Sequence, residues 1–207
     1  MPTIRKKINC RKCKKNYYQL EVGKAFCPYC ARDALVPNHT TVILQLTIQA
    51  GGYNDENLCL DGGLASKAKS GNVYLRGLVT VLSGDHKNKK FILPIGISGE
   101  RIDSWRNNSR KLIRNILNSS QGLSPSNNSR KAVFGRIIDN YNILDGIAFV
   151  GVVGIKKGRQ GRDENTILKI LSGDDDDYND LVAKGAFVPA QKFLPPSEPS
   201  LAAWRRA

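Results

Sequence analysis

Hydrophobic and polar residues alternate through TVILQLTIQ (41–49). Val42, Leu44, Leu46 and Ile48 take one side, and Thr41, Gln45, Thr47 and Gln49 the other, with Ile43 as the exception. That two-residue period predicts a half-buried strand. The Gly-, Asn- and Lys-rich stretch 50–72 then predicts a mobile loop, with a short strand around Leu58 to Leu60. VYLRGLVTVL (73–82) restores the alternation and sets Val73, Leu75, Val79 and Val81 on one side. After the turn SGDHKNKK, the strand FILPIGI (91–97) gives Phe91, Leu93, Ile95 and Ile97 a common face, and Pro94 marks an edge or a bulge.

The period then changes. Ile102, Trp105, Leu112, Ile113, Ile116 and Leu117 recur at helical spacing between Glu100 and about Ser119, with Gly122 as a stop. Trp105 is expected on the core side of this helix. A second helix is expected to start at a cap on Ser126 or Asn127 and to run through Ile137 and Ile138. GIAFVGVVGIKK (146–157) and NTILKIL (165–171) predict a hairpin joined by the basic loop GRQGRDE. In SGDDDDYNDLVAKG (172–185) the aspartates suit the positive end of a short helix. Their spacing lacks the alternation and late glutamate of a calcium loop.

Three strands, a helical insert and two strands predict a mainly β chain with a helical insert, an α+β class. The order matches the OB-fold, a five-stranded Greek-key barrel with its helix between strands three and four. A mixed α+β fold with an open sheet would give the same string. The expected organisation is a small module at 1–39, an OB-like barrel at 40–185 with its helical insert at about 100–141, and a flexible or docked tail at 186–207.

Charge changes the picture. Thirty-two Lys and Arg against eighteen Asp and Glu leave a net +14, a balance that suits a polyanionic partner. The longest apolar runs are far shorter than the roughly 20 residues of a membrane span. No secretory leader is recognisable, so a reduced, cytoplasmic setting is expected.

INCRKCKKNYYQLEVGKAFCPYCARD (8–33) holds two Cys-x-x-Cys pairs, Cys10/Cys13 and Cys27/Cys30. The thirteen residues between Cys13 and Cys27 are enough for a short hairpin that joins both pairs in one tetrahedral site. One structural Zn2+ is therefore expected, held by the four cysteines of a small zinc ribbon. Two disulfides would need an oxidising compartment and would leave Cys59 over. A thioredoxin-type motif would occur once, after a strand.

No Walker-type loop and no GxSxG is present, and His39 and His86 both fall in turn-like stretches. A catalytic site is therefore not expected, although scattered carboxylates of a nuclease would escape notice. Binding has more support. In an OB barrel the nucleic-acid groove crosses strands two and three, between the loop joining strands one and two and that joining strands four and five. The first loop brings Tyr53, Lys67 and Lys69; the second brings Lys156, Lys157, Arg159 and Arg162. Tyr74 and Arg76 lie opposite Val73 and Leu75 and are platform candidates. Arg106, Arg110 and Arg114 form a stripe on the helical insert, where a solvated helix face is the competing explanation. Arg11, Lys12, Lys14 and Lys15 crowd the first knuckle of the ribbon, a surface type that binds nucleic acid or docks protein. Asp163, Glu164 and Asn165 are expected to close the hairpin.

The segment from about 73 to 178 resembles OB-fold single-stranded DNA-binding proteins of bacteriophages and mobile elements. The resemblance rests on GIAFVGVVGIKKGRQGRDENTILKIL and the acidic DDDDY step after it, and on CRKC…CPYC for the ribbon. It implies a non-enzymatic protein that coats single-stranded DNA, or RNA, largely without regard to sequence, in replication or recombination. It also allows pairing of like chains through a barrel edge. The chain departs from such proteins in ending AAWRRA rather than in an acidic tip. The alternative is a zinc-containing structural subunit of a larger nucleoprotein complex, such as a CRISPR-type effector or a transcription or replisome assembly. There the ribbon and the tail around Trp204 would grip protein partners.

Overall fold

The computed structural model describes residues 5–9, 16–20, 35–58, 60–99, 103–158 and 161–190. Near the start, β1 (Arg5–Asn9) and β2 (Asn16–Leu20) pair antiparallel from Arg5 opposite Leu20 to Asn9 opposite Asn16. Cys10, Cys13, Cys27 and Cys30 lie outside the described residues, as do Arg11, Lys12, Lys14, Lys15, Arg159 and Trp204.

The remaining strands form one curled antiparallel sheet, a half-barrel compatible with an OB-like barrel. They are β3 (Thr40–Gln49), β4 (Tyr53–Asp55), β5 (Leu60–Lys67), β6 (Val73–Val81), β7 (Lys90–Ser98), β8 (Ala148–Lys157) and β9 (Asp163–Ile170). Along the sheet they run β4-β5-β6-β3-β8-β9, and β7 pairs with the other edge of β6. The curl follows from offset pairing. β3 meets β8 over 40–45 and β6 over 44–49, so each half of the strand belongs to a different part of the sheet. At Gly77 of β6 an added Cβ would stand 2.6 Å from the Leu46 side chain, so this strand wraps closely on β3.

The stretch 50–72 differs from the mobile loop that its composition predicts. Its backbone pairs as the β4–β5 hairpin, and Ala65–Lys67 add to the start of β6 opposite Leu75–Val73. The amides of Gly51 and Gly52 both donate to Gly63 O, and Gly52, Gly62 and Gly63 take positive φ. Glycine here serves a tight bend rather than disorder.

Between β7 and β8 runs α1 (Asp103–Gln121), followed by the short α2 (Arg130–Phe134). The second helix is shorter than predicted. Its cap is Ser129, whose hydroxyl accepts from the Ala132 amide, and Gly135 ends it. α1 packs on β7, β8 and β9 and drives Ile113, Ile116 and Leu117 into the core with Leu44, Leu46, Leu75, Val79, Ile95, Leu144, Phe149 and Val153. Each such side chain contributes roughly 1.5–3 kcal/mol when fully buried. Phe149 and the half-buried Phe91 are thus packing residues.

The outside of the half-barrel is treated unequally. Over β3 and β8, Ile43 and Val150 meet Leu171, Tyr178 and Phe187 beneath α3 (Asp176–Ala183). Tyr178 is 2% exposed and donates its hydroxyl to Ser119 O at 2.6 Å. As the sequence predicts, α3 carries Asp176 and Asp177 in its first turn. Among the described residues, no helix is long and apolar enough to cross a membrane.

Candidate nucleic-acid interface

Over β6 and β7 no helix of this kind lies on the sheet among the described residues. Residues directly opposite one another in a sheet share a face, so the register identifies what points outward there. Tyr74 faces Gly96, Arg76 faces Pro94, Leu78 faces Ile92, and Thr80 faces Lys90. On the other side of β6, Gln49, Thr47 and Gln45 of β3 stand opposite Arg76, Leu78 and Thr80. Arg76, Lys90, Pro94 and Thr47 are exposed, and Ile92 is 44% exposed. From Tyr74 to Thr80 the face is about 20 Å long, at the usual rise of roughly 3.3 Å per strand residue. None of these outward positions carries an acid.

One end of the face is aromatic. α1 lies along the free edge of β7, where the buried Ser109 hydroxyl accepts from the Gly96 amide at 2.8 Å. The same helix swings Trp105 over Gly96, and a Cβ added there would meet the indole at 2.7 Å. The indole also reaches the Tyr74 ring, with centroids 6.4 Å apart and planes inclined by 45°. Trp105 therefore belongs to the outer face rather than to the core side that its helical spacing suggests. It is half-buried, so the stack of Tyr74, Trp105 and the Gly96 backbone holds both rings in place while solvent reaches them.

Other predicted residues fall elsewhere. Tyr53 stands opposite the fully buried Ala65, packs against the core, and gives its hydroxyl to Asp55 at 3.0 Å. Lys67 sits 4.9 Å above the Tyr53 ring. This pair lies on the inner face of the hairpin, away from Tyr74 and Arg76. Lys69 is exposed beyond β5. In the β8–β9 hairpin Lys157 pairs with Asp163 at 2.8 Å and Lys156 stands opposite Glu164, so acids at the strand end offset those two lysines. Arg162 is exposed.

On α1, Arg110 and Arg114 are exposed and Arg106 is half-buried. Arg114 lies near Arg136. Burial, then repulsion by Arg114, lowers the Arg136 guanidinium below its ordinary value. Arg136 has a structural role, donating to Asn118 Oδ1, Asn127 O and Ser124 O at 2.7–2.8 Å. The site that emerges is Tyr74, Arg76 and Trp105, with Lys90 and Ile92 further along. Lys90 and Ile92 were legible as the outward complement of Phe91, Leu93 and Ile95. Trp105 was not.

Among the described residues no cluster of His, Cys, Asp or Glu could hold a metal ion. No family model and no curated protein matches the chain.

Proposed function

We propose that this chain is a non-enzymatic single-stranded nucleic-acid-binding protein whose groove is the outer face of β6 and β7. The observation that carries this reading is the Tyr74–Trp105 pair, held half-exposed beside Arg76 on the face that α3 leaves open. Every base offers a π-face, so stacking on such a pair tolerates any sequence, and each stacked base contributes about 1–3 kcal/mol. Cations along the face and the net charge of +14 track phosphates and make affinity fall with salt.

The strand pairing supports an OB-like barrel. β3, β6, β7, β8 and β9 take the places of its five strands, α1 takes the helix between the third and fourth, and the β4–β5 hairpin elaborates the first loop. The preferred substrate in this reading is single-stranded DNA exposed in replication or recombination, as in phages and mobile elements. Cys10, Cys13, Cys27 and Cys30 would hold one structural zinc, and the basic first knuckle would extend the groove.

Fluorescent 20-mers of single-stranded DNA, single-stranded RNA and duplex, titrated at two salt concentrations, test the proposal. Tight, salt-sensitive binding to a single strand is expected. Failure to bind any of the three would overturn it and favour a subunit that works only within an assembly. For the ribbon, oxidising the thiols should release one equivalent of zinc, and Cys13→Ser should abolish that release.

A further inference from the structure

The Tyr74–Trp105 pair occupies one end of the outer face, and a different surface follows it. Pairing of β6 with β7 is regular from Tyr74 to Thr80, so the face is a ladder of rows: Tyr74/Gly96, Arg76/Pro94, Leu78/Ile92 and Thr80/Lys90. Two strand residues separate one row from the next, a rise of roughly 7 Å. The Leu78/Ile92 row therefore stands about 13 Å from the rings, at the usual rise per strand residue.

That row is apolar without being core. Val79, Phe91 and Leu93, their neighbours along the strands, pack inward. Leu78 and Ile92 join neither packed cluster of the described residues; Leu78 is half-buried and Ile92 is exposed. Packing of the sheet thus does not account for two branched apolar side chains opposite one another here. Pro94, exposed beside Arg76, extends the apolar surface toward the rings.

Charge restricts what could cover the row. Arg76 lies one row away toward the rings and Lys90 one row away on the other side, both exposed. An occupant that fits is apolar at its centre and anionic on both flanks. A nucleotide within a single strand has a phosphate on either side. An aliphatic row offers no π-face, so a base gains here by apolar contact. Thymine alone of the common bases adds a methyl group, at C5, to that contact.

We infer that the Leu78/Ile92 row is a subsite for the thymine methyl, which makes the face select thymine over uracil, and so thymine-rich DNA over RNA. Such selection rests on the proposed groove and adds a base preference to a stacking pair that accepts any base. Burial of one further methyl-sized group corresponds to about fourfold in affinity.

Labelled 20-mers of oligothymidylate and oligodeoxyuridylate, which differ in the C5 methyl alone, test this by anisotropy titration with the full-length protein. Oligothymidylate should bind about fourfold more tightly. Ile92→Thr keeps a β-branched side chain at an exposed position and should bring the ratio toward unity; Leu78→Thr probes the same row should Ile92→Thr disturb folding. Tyr74→Ala should weaken both oligonucleotides and keep the ratio. Equal affinity of the wild type for the two would overturn the subsite, and the groove would still stand if Tyr74→Ala weakened both. A preference that survives both threonine variants would also overturn it, because the methyl would then be read at the rings. If neither oligonucleotide binds, the groove fails and the subsite with it.

Discussion

Trp105 lies across Gly96 so closely that any side chain at that position would enter the indole plane, with the first added carbon 2.7 Å from the ring. The contact joins the start of α1 to β7 and sets the angle at which the indole meets Tyr74. Gly96→Ala should therefore expel Trp105 and cost about 1–3 kcal/mol of stability by overpacking. Trp105→Ala should weaken binding of a single strand by about 1–3 kcal/mol, roughly 5- to 150-fold, with less effect on folding. Thermal unfolding and a binding titration on both variants check the pair. If Trp105→Ala binds like the wild type, the indole is only packing.

Arg76 and Lys90 are exposed on the open face and have no part in the core. Neutralising either should lower affinity for all sequences alike. The slope of log affinity against log salt should fall by about 0.7 for each phosphate that is no longer neutralised. Titrations of Arg76→Ala and Lys90→Ala at several salt concentrations measure it.

Tyr178 links α3 to the end of α1, and burial pushes its hydroxyl up to about 12 from an ordinary 10. The folded state holds the proton more tightly than the unfolded chain, so the contribution is complete below pH 10. It is lost as pH rises from 10 through 12. Two units correspond to about 2–3 kcal/mol. Denaturant unfolding between pH 9 and pH 12 should show a decline on that order in the wild type, and Tyr178→Phe should lack it.

Asn165 ties the segment before β3 to the β8–β9 hairpin. Its Oδ1 accepts from the Val36 amide, and its Nδ2 donates to Val36 O and Gly154 O at 2.9–3.1 Å. Asn165→Ala should strip three buried backbone groups of partners and cost about 2 kcal/mol or more. By contrast, Asp163→Asn breaks an exposed ion pair and should change stability by less than about 1 kcal/mol. Paired denaturation curves distinguish the two.

These residues also show what a linear pattern carries. The strands at 40–49, 73–81 and 90–98 were legible because one face of each meets a core, which imposes a period of two. The β4–β5 hairpin was not, since DGGLASK offers small and polar residues whose pairing depends on the edge of β6 rather than on their own preferences. Tyr53 and Tyr74 looked equivalent in sequence, but the register of β5 against β6 sends them to opposite faces. Trp105 was assigned to the wrong side because helical spacing gives a stripe without saying which neighbour each part of it meets. At Trp105 that neighbour is the outer surface of β7.

The central claim is that bases stack on the Tyr74–Trp105 pair, and the indole itself can report it. In a Trp204→Phe variant Trp105 is the one tryptophan left, because the chain has two. Its fluorescence should be quenched in proportion to occupancy as oligothymidylate is added, and Tyr74→Ala should reduce both quenching and affinity. Saturated binding with the Trp105 emission unchanged would contradict the account and move the groove elsewhere on the protein.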